Sequence, residues 1–476
     1  MLIRKKAFLI IVLTLLLAIL FSYFIWIDIP VLSLFPIALL LMYYAVFQTE
    51  KLFLSLAFLT PFSINIEEFS SSFGLFIPTE PILFGLMLIL GLFQLHTPFL
   101  DKQIWKHPIV IAANLMISWM FITAIVSSNA LVSFKFILSK LWFIIPILIF
   151  GTHFFKKEAN RNWFLRLFII ATSCTIIYTL IHHATYDFGE KEGHYVMYPF
   201  FKDHTIYGAI IAMILPLLLA WYFSEKYAPL IQILLSVMII IVLFGLYFSY
   251  SRAGWLSIVA SIIVGLIIYF KINYKIILTL VSFTFIFIIS QWDIIQIELG
   301  RNKQEHTTEV FNEKIQSAVN VTTDASNLER INRWNCALAM FQVRPLFGFG
   351  PGTYAFEYAP FQEAKNLTII STNFGDNGNA HSEYLGALSE MGLIGLVLFI
   401  VFIATIFYSA IQLFYKWPAE DQRTRILIFG IILSLTTYFC HAFLNNFLDT
   451  DKAAVPIWAM CSIIIVLDLK RRQIKE

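Results

Sequence analysis

Residues 379–396 read NAHSEYLGALSEMGLIGL, and this stretch decides how the rest of the chain is read. A polar start at Asn379 and His381 gives way to an apolar helical face at Leu385 and Leu388, and the run continues past Gly392 and Gly395 into residues apolar enough to cross a bilayer. If Asn379 caps the helix, His381 lies in the first turn, where the positive end of the helix dipole disfavours an added proton. A neutral imidazole can then act as a base. Gly392 and Gly395 let this helix approach a neighbour closely and fix the direction of the histidine. Taken alone, a boundary histidine more often just hydrogen-bonds a loop, so the remaining motifs carry the weight.

The chain has 476 residues, of which 59% are hydrophobic and 13% charged, with a mean hydropathy of +0.78. A soluble globule needs far more surface charge, so this is an integral membrane protein. Long apolar runs recur where a barrel would show short alternating strands, so the spans are helical. Trp26, Asp28 and Pro30 stand where a signal peptide would carry a small-residue cleavage site, so the run after Arg4, Lys5 and Lys6 is expected to remain as the first span. Cys174, Cys440 and Cys461 lie in apolar runs and Cys336 stands alone in a polar one, which suggests neither a disulfide pair nor a metal cluster. The net charge of +3 says little, because membrane proteins segregate charge by side.

Fourteen spans are expected, near 7–25, 31–47, 52–64, 80–95, 108–127, 134–154, 164–183, 205–223, 229–249, 254–270, 275–291, 392–414, 426–446 and 453–469. Lys51, Lys102, Lys106, Lys156, Lys157, Arg161, Arg166, Lys226, Lys271, Lys275, Lys416, Arg423, Arg425 and the terminal KRRQIK then share one side, the positive-inside pattern with the N-terminus inside. The expected fold is all-α: a membrane bundle over 1–291, an external lid domain over 292–391 carrying the histidine motif, and C-terminal spans over 392–476. Within the lid, Asn327 is expected to cap a helix through Arg330, Trp334, Ala337 and Phe341 that stops before Pro345, followed by the turn GFGPG at 348–352.

The unusual polar groups gather on the outer side. Arg252, in SYSRAGWLS, sits in a tight turn between two spans, where its five donors suit bidentate binding of phosphate oxygens; a snorkelling arginine explains it equally well. Lys140, within FKFILSKLWFIIPI, is an intramembrane lysine expected about two helical turns below the outer rim, and with Arg252 it could hold a pyrophosphate. His204, in YPFFKDHTIYG, stands at the mouth of a span beside Asp203. His182 and His183, with Asp187 or His194, follow no metal-ligand spacing and read as loop histidines. Arg330 and Arg333 flank Trp334, a pattern that suits an anionic or sugar ligand and equally a solvated helix face. Gly348, Gly350 and Gly352 follow no strand, so a nucleotide-binding loop is rejected, and Asp449 and Asp451 read as a chance match to a metal-binding Asp-x-Asp.

Together these pieces resemble the O-antigen ligase and O-antigen polymerase superfamily of bacterial inner-membrane glycosyltransferases. The match rests on His381, Ser382, nine residues, then Gly392 and Gly395; on Arg330-Ile-x-x-Trp334-x-x-Ala337 leading to Pro345 and the glycines 348, 350 and 352; on Ser251-Arg252-Ala-Gly254; and on FKDHTIYG. It covers roughly residues 202–396. The resemblance implies a GT-C-like bundle of about 12–14 transmembrane helices with one large periplasmic loop, and transfer of a glycan from undecaprenyl pyrophosphate to an acceptor hydroxyl such as that of lipid A-core. Transfer would occur at the periplasmic face, with inversion and without metal or nucleotide. In that scheme His381 is the catalytic residue, Arg252, Arg330, Lys140, His204, Arg333 and Trp334 bind pyrophosphate or glycan, and Gly392, Gly395, Gly348 and Gly350 are structural. Partners are the lipid-linked donor, the acceptor and membrane lipids, with no nucleic acid.

Two alternatives lie within the superfamily: an O-antigen or exopolysaccharide polymerase, and a protein O-oligosaccharyltransferase. A transporter or flippase is a third, of another class. It predicts inverted repeats and ionisable groups near the midplane, whereas here the charged groups cluster at one face.

Overall fold

The computed structural model describes residues 43–68, 74–273, 325–363 and 378–475, with scattered positions outside them. Among the described residues the protein is 77% helical, and its strands there are two of two residues each, Ile64–Asn65 and Phe76–Ile77, paired antiparallel. In chain order the helices are α1 Thr49–Leu59, α2 Thr79–His96, α3 Pro108–Ile125, α4 Ala130–Phe154, α5 Glu158–Ala184 and α6 His204–Ser224. Then come α7 Pro229–Tyr247, α8 Arg252–Tyr269, α9 Ala325–Val343, α10 Glu383–Lys416, α11 Gln422–His441 and α12 Asp451–Lys475.

Ten of these helices are long and apolar enough to cross a membrane: all except α1 and α9. They correspond to ten of the fourteen expected spans. The run at 52–64 forms only the eleven-residue α1 and then a turn started by Pro61, too short for a bilayer core of about 30 Å. The runs at 7–25, 31–47 and 275–291 fall mostly outside the described residues.

Local chemistry sets the boundaries. Pro108 and Pro229 open α3 and α7, where a missing N–H costs nothing. Side chains of Asn129, Asp203, Ser251, Ser382 and Asp421 accept hydrogen bonds from the first turns of α4, α6, α8, α10 and α11. Burial then orders the bundle. The spanning part of α12 is wholly enclosed and α6 is largely so, whereas α7 keeps a mostly outward apolar face, as a lipid-facing helix does.

The two ends of the bundle differ in charge. The ends of α2, α4, α6, α8, α10 and α12, with the adjoining turns, carry Lys102, Lys156, Lys157, Lys226, Lys271, Lys416 and Arg471. At the other end lie the starts of α6, α8, α10 and α12, the α3–α4 turn and the helix α9.

At that second end, α10 breaks. Gly392 adopts φ 69° and ψ −170°, a conformation open in practice to glycine alone, so Glu383–Met391 and Leu393–Lys416 are separate helices in one line of sequence. The last carbonyls of the first segment find partners in neighbouring elements. Phe349 N–H donates to Ser389 O at 3.1 Å, Gly350 N–H to Glu390 O at 2.8 Å, and the Trp119 indole to Met391 O at 2.9 Å. Across the break Leu393 N–H donates to Pro345 O at 2.9 Å. The loop that does this is the GFGPG turn, and its glycines are required by both backbone and space. Gly348 and Gly350 have φ of 66° and 113°, and a Cβ on them would lie 2.3 Å from the Glu390 carbonyl carbon and 2.0 Å from Ser127 Oγ. On the far side of the turn Ser128 N–H donates to Phe349 O at 2.8 Å, so the loop is held between the α3–α4 turn and the break in α10.

Gly392→Ala is therefore expected to destabilise the protein strongly, because its Cβ would meet Leu346 O at 2.2 Å in a backbone region closed to alanine. Gly85→Ala, within α2 and with nothing within 4 Å of the added carbon, is the control. Thermal unfolding of the detergent-solubilised variants, followed by size-exclusion chromatography, should show a large loss for the first and none for the second; equal midpoints would refute the interlock.

Candidate functional site

The cap of the histidine segment lies three residues beyond the expected position. Ser382, not Asn379, is the N-cap of α10, its hydroxyl accepting from Leu385 N–H at 3.3 Å. Asn379 instead accepts from the His381 N–H at 3.0 Å and bends the chain so that His381 takes φ 46°, in the left-handed region. His381 thus stands just outside the helix rather than in its first turn. The Trp334 indole donates to its carbonyl at 3.3 Å, so Trp334 orients the histidine through the backbone.

The imidazole is held neutral, although not mainly by a helix dipole. Burial pushes its pKa down to about 4, aided by the positive charges of Arg330 and Arg333, with Glu329 and Asp203 opposing them. Arg330 comes from α9 and Asp203 from the cap of α6, so three elements distant in sequence meet here.

A second imidazole joins them. His441, buried at the end of α11, feels the same Arg330 and Asp203 and lies against the backbone of Ala253. Its Nε2 is 3.1 Å from Asn445 Nδ2. Through His441 the SRAG turn reaches the histidine segment, since the backbone ties the end of α11 to that segment, Glu383 N–H donating to Ala442 O at 3.0 Å. The SRAG turn is seated on α6, where a Cβ on Gly208 would lie 2.4 Å from Ser251 Cβ. Arg252 projects from this turn as an exposed side chain. His381, Arg330, Arg252 and the His204 end of α6 are therefore at one end of the bundle, and His204 itself stacks on His194 with ring centroids 4.2 Å apart. Neither Asp203 nor His441 was singled out as a site residue from sequence. Asp203 was visible as the neighbour of His204, whereas His441 ends an ordinary apolar run and carries no motif.

Other expected site residues are used differently. Arg333 is buried in the lid, where its Nε donates to Glu329 at 2.6 Å and its guanidinium lies 4.1 Å from the Tyr358 ring centre. It packs on a small core of Cys336, Ala337, Met340, Phe349, Tyr354, Tyr358 and Ala380, against which Leu385 of the histidine segment also lies. The helix α9 stops before Pro345 as expected but begins at Ala325, ahead of the supposed cap at Asn327. Lys140 is not brought to Arg252. Its ammonium pairs with Asp449, in a cavity also lined by Glu383 and Glu390. Asp451 points elsewhere, 2.5 Å from Ser63 Oγ and beside the buried Lys452, so the two carboxylates of the Asp-x-Asp do not converge on one ion. Lys452 itself donates to Ser63 O at 2.8 Å and Thr60 O at 3.3 Å, a buried cation satisfied within the fold. His182 and His183 bind the carbonyls of Val196 and Gly189 at 2.9 and 2.8 Å, as loop-bracing residues do.

Removing one partner of a buried ion pair costs roughly 3–5 kcal/mol, so Arg333→Ala is expected to loosen the lid, with faster proteolysis between α9 and α10. Glu329→Ala combined with Arg333→Ala should restore part of that loss. A double variant no better than the single would remove the pair as the cause.

Residues 237–400 match the family model described as O-antigen ligase, a segment that contains the SRAG turn, Arg330, the glycine turn, His381 and the Gly392–Gly395 pair. No curated protein matches the chain. With those residues inside the matched segment and assembled at one end of an all-α membrane bundle, the match supports the resemblance to the O-antigen ligase and polymerase superfamily over that part of the chain.

Proposed function

We propose that the protein is an O-antigen ligase that moves a glycan from undecaprenyl pyrophosphate to a hydroxyl of lipid A-core, with inversion and with no metal or nucleotide. The observation that carries this reading is a neutral imidazole, His381, held beside Arg330 at the end of the bundle where Arg252 is exposed. The opposite, basic end faces the cytoplasm by the positive-inside rule, which turns the histidine toward the periplasm of a bacterial inner membrane.

The chemistry follows from the charges. The acceptor oxygen forms a bond to the anomeric carbon while the bond from that carbon to the pyrophosphate oxygen breaks, the electron pair leaving with the pyrophosphate. A single displacement inverts the centre. The proton of the attacking hydroxyl passes to His381, and Arg252 and Arg330 stabilise the charge that grows on the leaving group. Lys140 has no part in this scheme, because Asp449 takes up its charge, and Arg333 acts by holding the lid.

Donor binding also prepares the base. Arg330 and Arg333 help to depress the imidazole pKa. A pyrophosphate seated beside them would cancel part of that field and raise the proton affinity of His381 when a substrate is present.

His381→Ala, Arg252→Ala and Arg330→Ala are each expected to accumulate in membranes and to lose transfer by about two or more orders of magnitude, the usual scale for a lost base or charge stabiliser. Wild-type activity in any of them would remove that residue's role. Chelators should leave transfer unchanged, and abolition would bring the acidic pair back as metal ligands. A deletion strain should keep long chains on the lipid carrier, whereas single repeats would identify a polymerase.

The pH dependence has a definite sign. His381 works unprotonated, so rate is lost as pH falls through its pKa. The acid limb of kcat/KM for the donor, which reports the free protein, is expected near pH 4, and the limb of kcat, which reports the donor complex, at higher pH. Coincident limbs would refute the coupling between donor and base.

A further inference from the structure

We infer that the cavity around Lys140 and Asp449 is a subsite for a neutral sugar ring of the acceptor. The cavity measures about 220 Å³, room for about seven waters at ~30 Å³ each and therefore for a single ring. One of its walls is the backbone that carries the proposed base, since Ala380 and Ser382, on either side of His381, both line it.

Its charge excludes the donor's head. The ammonium of Lys140 is already paired with Asp449, and Glu383 and Glu390 line the same space, so the cavity offers a pyrophosphate no unspent cation. Its hydrogen-bonding groups point to hydroxyls. Glu390 is satisfied by the N–H groups of Gly352 and Tyr354 at 2.9 and 3.0 Å. Glu383 accepts from Leu448 N–H and Tyr438 Oη through Oε1, and its Oε2 bonds to nothing among the described residues. Among the described residues the Trp458 indole N–H, in a side chain only 2% exposed, has no acceptor, and the buried Asn446 Oδ1 has no donor. A ligand able both to donate and to accept, as hydroxyl groups are and as a hydrocarbon chain or a metal ion is not, suits these groups. The rest of the lining is apolar, including Phe136 and Phe402, and suits the C–H faces of a pyranose.

The word acceptor rests on the transfer reaction proposed above; the binding of a sugar does not. The test uses the purified full chain and saturation-transfer NMR with methyl glucoside and methyl N-acetylglucosaminide as probes. Signal is expected in the wild type and in His381→Ala, undiminished by inorganic pyrophosphate. It should vanish in Ala387→Phe, which fills the cavity from α10, and weaken about ten-fold in Trp458→Phe, the effect of one lost hydrogen bond. No signal in the wild type, full signal in both variants, or displacement by pyrophosphate would overturn the assignment. If Ala387→Phe does not elute as a folded protein, Trp458→Phe decides, because it keeps the ring and removes only the N–H. In membranes Trp458→Phe should raise KM for the acceptor and leave KM for the donor unchanged; an unchanged acceptor KM overturns the subsite. A wild type that binds the probes but never transfers glycan would defeat the ligase reading and leave the sugar site standing.

Discussion

The structure depends on a break in a membrane helix whose orphaned carbonyls are satisfied from outside the helix. An interrupted helix near a bilayer leaves backbone groups that water cannot reach, and each unsatisfied one costs on the order of 1–3 kcal/mol. Here Ser389, Glu390 and Met391 give their carbonyls to the GFGPG turn and to Trp119, and Pro345 accepts from the first N–H beyond the break. Two glycine patterns about forty residues apart in sequence are therefore the two halves of one joint. The joint fixes the lid to the bundle, and the short helix in front of it fixes the histidine.

The segment that carries His381 divides two environments of opposite character. On one side stand Arg330 and the SRAG turn with Arg252, where an anion is favoured. On the other stand the carboxylates of Glu383, Glu390 and Asp449 around Lys140, where an anion is not. A reaction that joins a phosphate-bearing donor to a hydroxyl-bearing acceptor has use for such a division, because electrostatics alone then keeps the substrates from exchanging places.

Much of this was legible in the sequence. Ten of the expected spans exist, because hydropathy over about 20 residues reports directly on bilayer crossing. The motif residues His381, Arg252 and Arg330 gather at one end because alternation of spans fixes which ends meet. What sequence could not supply was pairing. Lys140 looked like a donor-binding cation until Asp449, more than three hundred residues away, was seen beside it. Arg333 looked the equal of Arg330, yet three helical positions separate a side chain buried on Glu329 and Tyr358 from one that faces the histidines. His441 was missed because a histidine at the end of an apolar run has no pattern of its own. The helix cap was misplaced by three residues, since Asn379, Ser382 and their neighbours all fit a cap on paper and only the backbone turn at His381 separates them.

The helix α12, enclosed on every side, follows all the others in chain order. During synthesis it leaves the insertion machinery after the helices that surround it, so those helices must first stand apart around an unfilled axis, with lipid in the place it will take. Its two tips are tied to elements made earlier, Asp451 and Lys452 to Ser63 and Asp468 to His107, so contacts at both faces of the protein wait for this helix.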